Sequence, residues 1–302
     1  MSFPKIAIFI PTYNDRDDLM ACIESLRHLN YPKEQMAIVI WDNNSTDKTI
    51  RDVKERFSRM EHEGWAGLLL IEWKKNEGSY IPYNLSLPLL PRETQFILGL
   101  DADVEPAPDV LLHMTMSAQE ESVAVVGARS VFFDNPDTTS HGAGFVNRWT
   151  GRYSEKDADA RVECDFVIGC CWLLRKEVFE QLSGFDANYY INHWEVDYCL
   201  RAIERGFRIV YEPKAVVKHK ISPGGTINKG RLYYLYRNKT LLFKKLFPVP
   251  WRWTALCFYL LFGFPMSVIQ SIKRNGRADA RELKFICKAF TDGLLNRTGK
   301  TV

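Results

Sequence analysis

The chain has no glycine-rich phosphate loop: neither Gly-x-Gly-x-x-Gly nor a P-loop follows any of its apolar runs. A backbone cradle for phosphate is therefore not indicated, and a bound diphosphate would have to be held by metal and side chains. Charge of one sign is scarce too: the net charge is +3, too small to suggest nucleic acid as a partner. The seven cysteines form no Cys-x-x-Cys pair and no zinc spacing. Cys170 and Cys171 are adjacent in an apolar run and read as reduced core thiols, which fits a cytoplasmic protein. No signal peptide is visible, because Met1-Ser2-Phe3-Pro4-Lys5 leads straight into a strand-like run. Internal repeats and low-complexity stretches are missing. The remainder is ordinary globular composition, 46% apolar and 25% charged over 302 residues. That length suits one large α/β domain or a domain with an appendage.

Apolar runs alternate with helical spacing. Residues 5–10 read as a buried strand closed by Pro11-Thr12-Tyr13-Asn14. From Asp15 to Leu29, Leu19, Cys22, Ile23 and Leu26 make one helical stripe. A second strand, 36–41, is closed by Asp42-Asn43-Asn44-Ser45-Thr46-Asp47, with a helix from about Asp47 to Met60. Strand 68–73 is followed by the loop Asn76-Glu77-Gly78-Ser79, a partly helical 80–90, and a strand 96–100 that ends in Asp101-Ala102-Asp103. This alternation predicts a doubly wound α/β fold, a mostly parallel central sheet flanked by helices. Ligands of such sheets sit off the carboxyl ends of the strands, where three polar clusters fall here.

Two carboxylates one residue apart at a strand end are costly unless neutralised. A hard divalent cation, Mg2+ or Mn2+, carrying a phosphorylated ligand would do so; a solvated acidic turn before Pro106 and Pro108 is the alternative. In the second half, 123–133 reads as a strand or two and 134–159 as a polar, Gly-rich loop region for substrate contacts or a lid. The run 193–205 reads as a helix bearing Glu195, Asp197 and Arg201. Glu195 and Asp197 are two apart and do not share a helix face. Residues 207–211 and 216–219 read as two strands.

These pieces in this order, with Gly184-Phe185-Asp186, His219 and Tyr236-Arg237-Asn238, resemble a family-2 glycosyltransferase of the GT-A fold over roughly residues 5 to 240. The resemblance implies a nucleoside-diphosphate sugar as donor, a divalent metal and inversion at the anomeric carbon. It implies that Pro11, Tyr13 and Asp42 lie around the nucleoside, and Asn76 and Gly78 near the ribose or diphosphate. Asp103 would ligate the metal, Asp101 the ribose or metal, and His219 would be a later metal or phosphate contact. Arg237 would hold the diphosphate. The family pattern usually places Glu-Asp-x-Asp where this chain has Trp194-Glu195-Val196-Asp197, so Glu195 takes the place of the usual base, with Asp197 the alternative. An inverting transfer needs such a base and charge stabilisation of the leaving group.

The segment Trp253–Ile269 is almost entirely apolar, interrupted by Pro265 and flanked by Lys244, Lys245, Arg252, Lys273, Arg274 and Arg277. That pattern fits a segment lying in an anionic membrane interface; burial in the core, a dimer interface and a true span are the alternatives. A second amphipathic stretch carries Leu283, Ile286, Cys287, Phe290 and Leu294 on one side. The tail resembles those of rhamnosyl- and other hexosyltransferases of polysaccharide or glycolipid assembly. The expected organisation is a catalytic domain over 1–245, with a nucleotide half to 104, and a helical tail over 246–302. The expected partners are the nucleotide sugar, a glycan or lipid-linked acceptor, the inner face of the cell membrane and a possible second copy. A non-catalytic nucleotide-sugar-binding relative, or less favourably a nucleotidyltransferase, remains the alternative function. The latter should show a Gly- and Lys/Arg-rich phosphate loop, which is not seen.

Overall fold

The computed structural model describes residues 3–78, 80–221, 229–275 and 280–301. Strand β1 (Ile6–Thr12) shows how the layers arise. Ile6, Ile8 and Ile10 point into one buried cluster, and Ala7 and Phe9 into another on the opposite face. A strand covered on both faces reads as a continuous apolar run rather than an alternation. Strand β2 (Met36–Asp42) repeats the pattern with Met36, Ile38 and Ile40 against Val39 and Trp41. Helix α1 (Arg16–Arg27) covers the first face with Leu19, Cys22, Ile23 and Leu26, the stripe read from the spacing. Each such side chain contributes about 1.5–3 kcal/mol by leaving water.

In order follow α2 (Thr49–Met60), β3 (Gly67–Glu72), α3 (Ile81–Ser86), β4 (Phe96–Leu100), β5 (Val104–Pro106), α4 (Val110–Ser117) and β6 (Val123–Phe132). Then come β7 (Asn135–His141), β8 (Ala143–Val146), β9 (Tyr153–Lys156), β10 (Val162–Cys164), β11 (Cys171–Arg175), α5 (Lys176–Gln181), α6 (Trp194–Glu204) and β12 (Arg208–His219). The chain continues through α7 (Lys229–Leu246), α8 (Trp251–Phe258), α9 (Phe264–Asn275) and α10 (Ala280–Leu294). The central sheet has 10 strands along the path β10-β12-β6-β11-β4-β1-β2-β3, with β5 on β12 and β7 on β6. Strands β3, β2, β1, β4, β6 and β12 share one direction, and β11, β10, β5 and β7 run against them. The expected α/β architecture with a mostly parallel core is present.

Three expectations need correction. The region 134–159 is not a loop: it holds β7, paired with β6, and the β8–β9 hairpin. The strands read at 207–211 and 216–219 are one, β12, whose register on β6 shifts between Glu212 and Val216, around Pro213. The boundary at 245 does not separate two packing units. Helix α10 lies on α7, and its Ile286, Ala289 and Phe290 belong to the same buried cluster as Trp172 and Phe185. Ile286 and Phe290 of its apolar stripe therefore face protein, while Cys287 and Leu294 are exposed. Tyr233 Oη donates to Asp292 Oδ2 at 2.6 Å, and Arg297 closes on the other oxygen at 2.9 Å.

Helices α8 and α9 are joined by a π-helical turn, Tyr259–Gly263, so the helix runs on through Pro265 instead of breaking. A π turn ahead of a proline absorbs the hydrogen bond that residue cannot donate. The run Trp251–Lys273 is 23 residues, and an 18-residue window within it has a mean hydropathy of 1.7, long and apolar enough to cross a membrane by length and composition.

Candidate functional site

The carboxyl ends of β1, β2 and β4 open into a cleft of about 500 Å³. Pro11 and Tyr13 line it from the end of β1, Asn76 and Gly78 from the loop after β3, and Asp101 and Asp103 from the end of β4. Glu195, in the first turn of α6, lines the same cleft. Residues scattered over the chain thus share one concavity, as the switch-point geometry of such sheets requires.

The floor is acidic. Ligand atoms of Asp101, Asp103 and His219 all lie within 4.8 Å of one another, the one such group among the described residues. His219 Nε2 stands 3.3 Å from Asp103 Oδ1. Burial, then the neighbouring Asp103, pushes Asp101 up to about 7. Burial works against Asp103 as well, but the His219 hydrogen bond holds its carboxyl below the usual range. Asp15 and Asp18 add carboxylates to the same cleft, whose lining cation is Arg231. His219 Nδ1 is buried without a hydrogen-bond partner. Two carboxylates and an imidazole whose ligand atoms converge offer the oxygen and nitrogen donors that suit a divalent cation such as Mn2+ or Mg2+.

Asn76 and Gly78 are built together. Asn76 Oδ1 accepts the Gly78 N–H at 3.0 Å, and Asn43 Nδ2 donates to the Gly78 carbonyl at 3.3 Å. Gly78 has φ +84°, and a Cβ there would stand 2.7 Å from the Tyr190 carbonyl oxygen. Only glycine fits both the left-handed backbone and that approach. Asp42 sits behind the cleft wall, fully buried. Its Oδ2 accepts the N–H groups of Asn44 and Ser45, both at 3.0 Å, while Oδ1 has no partner.

The structure separates the two candidate bases. Asp197 is fully buried and saturated: Arg201 Nε at 2.7 Å, Lys245 Nζ at 2.6 Å and Tyr189 Oη at 3.2 Å all donate to it. Glu195 faces the cleft, and its Oε2 is buried with no hydrogen-bond partner. Burial pushes its carboxyl up to about 7, against the pull of Arg231 and His141. Asn192 and His193, both left-handed at φ 63° and 65°, turn the chain into α6 and aim its first turn at the cleft. Asn238 Nδ2 holds that turn by donating to the carbonyls of Ile191 (2.7 Å) and Asn192 (3.0 Å).

Arg237 does not reach the cleft. It is fully buried and donates to the carbonyls of Gly299 (2.6 Å) and Asn188 (3.4 Å), to Thr301 Oγ1 (3.1 Å) and to Asn238 Oδ1 (2.9 Å). It lies well along α7, whereas Arg231, in the first turn, lines the cleft. Sequence reading missed Arg231, Asn43, Tyr190 and Asn192; nothing in spacing alone distinguishes Arg231 from Arg237.

A parallel sheet whose strand ends gather an acidic cleft, completed by an antiparallel β11 and a long β12, is a GT-A fold. The chain belongs to glycosyl transferase family 2, whose family model matches residues 7–183, more than half of it. Glycosyltransferase AglE of Haloferax volcanii is 23% identical over 288 residues, 91% of this chain and 88% of that protein. Among solved structures, the mannosyltransferase PcManGT of Pyrobaculum calidifontis, in complex with GDP-Man and Mn2+, superposes with a TM-score of 0.64 at 16% identity, over 98% of this chain and 89% of that one. S. aureus TarS 1-349, in complex with UDP-GlcNAc, gives 0.64 at 15% identity over 97% and 81%. The protein is a glycosyltransferase.

Proposed function

We propose that the protein is a metal-dependent, inverting glycosyltransferase moving a sugar from a nucleoside-diphosphate sugar to a hydroxyl of a glycan or lipid-linked acceptor. The observation that carries this reading is the buried Glu195 carboxyl, whose Oε2 has no hydrogen-bond partner, lining the same cleft as Asp101 and Asp103. Glu195 accepts the acceptor's hydroxyl proton as that oxygen attacks the anomeric carbon from the side opposite the diphosphate. The carbon–oxygen bond to the acceptor forms, the bond to the diphosphate breaks, and the leaving group takes the electron pair.

Asp101, Asp103 and His219 would hold Mg2+ or Mn2+, which neutralises charge on the departing diphosphate. Arg231 assists there in place of Arg237. Pro11 and Tyr13 attend the nucleoside, and Asn76 with Gly78 the ribose or diphosphate, while Asp42, buried behind the wall, holds the Asn44–Ser45 turn instead of meeting the ligand. Asp197 positions the first turn of α6 through Arg201 and Lys245 rather than taking the proton. We also place the protein peripherally on the inner face of the cell membrane, with the apolar run Trp251–Lys273 as support.

The test compares Glu195→Gln with Asp197→Asn, using a nucleotide-sugar panel with Mn2+ and reading turnover and donor affinity separately. Glu195→Gln should lose about 10²–10⁴ in turnover and keep donor affinity. Near-normal turnover in Glu195→Gln would sink the assignment.

A further inference from the structure

Residues 213–278 contain thirteen Lys and Arg and not one Asp or Glu, in a chain whose net charge is only +3. The rest of the chain is therefore acidic. Several of these cations are engaged in the body: Arg237 is buried, Arg231 lines the cleft, and Lys220 and Lys245 are held in ion pairs. The α8–α9 run itself carries Arg252 near its start and Lys273 and Arg274 near its end, with no acid between them. Within this stretch the α8–α9 run carries a one-sided apolar surface. Ala255, Leu256, Tyr259, Ser267 and Ser271 are buried against the body along its whole length. On the other side Trp253, Leu260, Leu261, Phe262, Met266 and Ile269 are exposed, Leu261 at 69% and Phe262 at 60%. A helix fastened along one side to a globular body cannot thread a bilayer, but it can lie in its surface.

The apolar face does not stop at the tail. Trp149, in the β8–β9 turn, is 59% exposed and packs edge-on against Trp251, ring centres 6.1 Å apart. Gly151 of the same turn approaches the Phe243 ring of α7 so closely that a Cβ would stand 2.1 Å away, which fixes the turn to the tail helices. Tyr153, at the turn's end, meets His193 edge-on at 5.4 Å, and His193 directly precedes α6 and Glu195. Lys239 bridges Tyr153 and Tyr259 at 4.4 and 5.3 Å from their rings. Tyr153 and His193 thus link the β8–β9 turn, ring against ring, to the start of the helix that carries Glu195.

We propose that Trp149, Trp253 and the outward side of α8–α9 form one continuous surface that rests on an anionic lipid bilayer. Tryptophans beside a cationic, acid-free helix are the chemistry that seats a surface at the headgroup level. The surface deepens the membrane location proposed above, and it sets the acceptor side of the cleft at the depth where a lipid-carried hydroxyl lies.

The test is co-sedimentation of the full chain with phosphatidylglycerol–phosphatidylcholine vesicles and with pure phosphatidylcholine vesicles. The variants are Trp149→Ala, Trp253→Ala and Leu261→Glu. The wild type should bind the anionic vesicles, bind the neutral ones far less, and release in high salt. Each variant should bind roughly tenfold more weakly. Donor binding, read without vesicles by nucleotide-sugar thermal shift, should be unchanged in all three. It controls for folding and separates failure of this surface from failure of the glycosyl-transfer reading. Wild-type-like binding by Trp149→Ala, equal binding to both vesicles, or no vesicle binding at all would overturn the proposal. So would a solution dimer dissolved by Leu261→Glu, since a second copy would then own the face.

Discussion

At the residue scale, the decisive contrast lies within one turn of α6. Glu195 and Asp197 have the same functional group two positions apart, and their surroundings give them opposite properties. Three donors satisfy Asp197, whereas Glu195 keeps a buried oxygen unpartnered and a carboxyl pushed up to about 7 by burial. The helix period put the pair on different faces in the sequence; which face met the cleft was decided by contacts from Tyr189 and Lys245, which spacing does not reveal. Two consequences follow for pH. As a base, Glu195 works only ionised, so kcat/KM should rise about tenfold per pH unit up to about 7 and level off above it. For stability the sign is reversed. A carboxyl raised in the folded state binds its proton more tightly there, so its contribution is full below the ordinary carboxyl range and is lost as pH rises toward 7. Glu195→Gln should therefore match the wild type in thermal stability at pH 5 and exceed it at pH 8. A wild type equally stable at both, relative to the variant, would show that the buried carboxyl carries no such cost.

At the scale of elements, legibility followed burial. Strands β1, β2 and β4 were readable because both faces are covered and the residues are apolar throughout. Strand β7 was not, since its Asn135-Pro136-Asp137-Thr138 is exposed and polar, and only antiparallel pairing with β6, which directly precedes it, makes it a strand. In α10 the sequence revealed the stripe but not its partner: periodicity specifies a face, and Ile286, Ala289 and Phe290 turn part of it to α7 while Cys287 and Leu294 stay exposed. The α7–α10 contact is close enough to be tested by one methyl group. A Cβ on Gly293 would stand 2.7 Å from Thr240 Cβ and 2.9 Å from the Arg237 carbonyl oxygen. Gly293→Ala should therefore destabilise the fold by about 1–3 kcal/mol through overpacking, despite alanine's better helix propensity. Phe290→Ala should cost about 3–5 kcal/mol by leaving a cavity. Chemical denaturation measures both, and a neutral or stabilising Gly293→Ala would mean the two helices can part without cost.

At the scale of the whole molecule, the cleft joins elements that meet only on folding. Asp101 and Asp103 come from β4 and His219 from the far end of β12, so the acidic pair was legible as a motif while its imidazole partner depended on the path of β12 over the sheet. Arg237 failed for a related reason: the arginine that reaches the cleft is chosen by where α7 begins, and Arg237, buried farther along it, ties Asn188, Gly299 and Thr301 together instead. The assembled floor sets the carboxylates of Asp101 and Asp103 side by side before any ligand arrives, and burial, then Asp103, pushes Asp101 up to about 7. A doubly charged diphosphate entering alone would meet that field unfavourably. A divalent cation entering with it removes the conflict on both sides, so donor and metal should bind with strong mutual dependence. A binding partner present at a hundred times its Kd adds about 2.7 kcal/mol to stability, which for a chain of this size raises the melting temperature by several degrees. The shift should appear with a UDP- or GDP-sugar plus Mn2+, vanish on adding EDTA, and be small with either component alone. Asp103→Asn should abolish the joint shift while leaving the unliganded melting temperature close to that of the wild type. A nucleotide sugar that stabilises the protein equally in EDTA would exclude the acidic group as a metal site and leave Arg231 as the cation that holds the diphosphate.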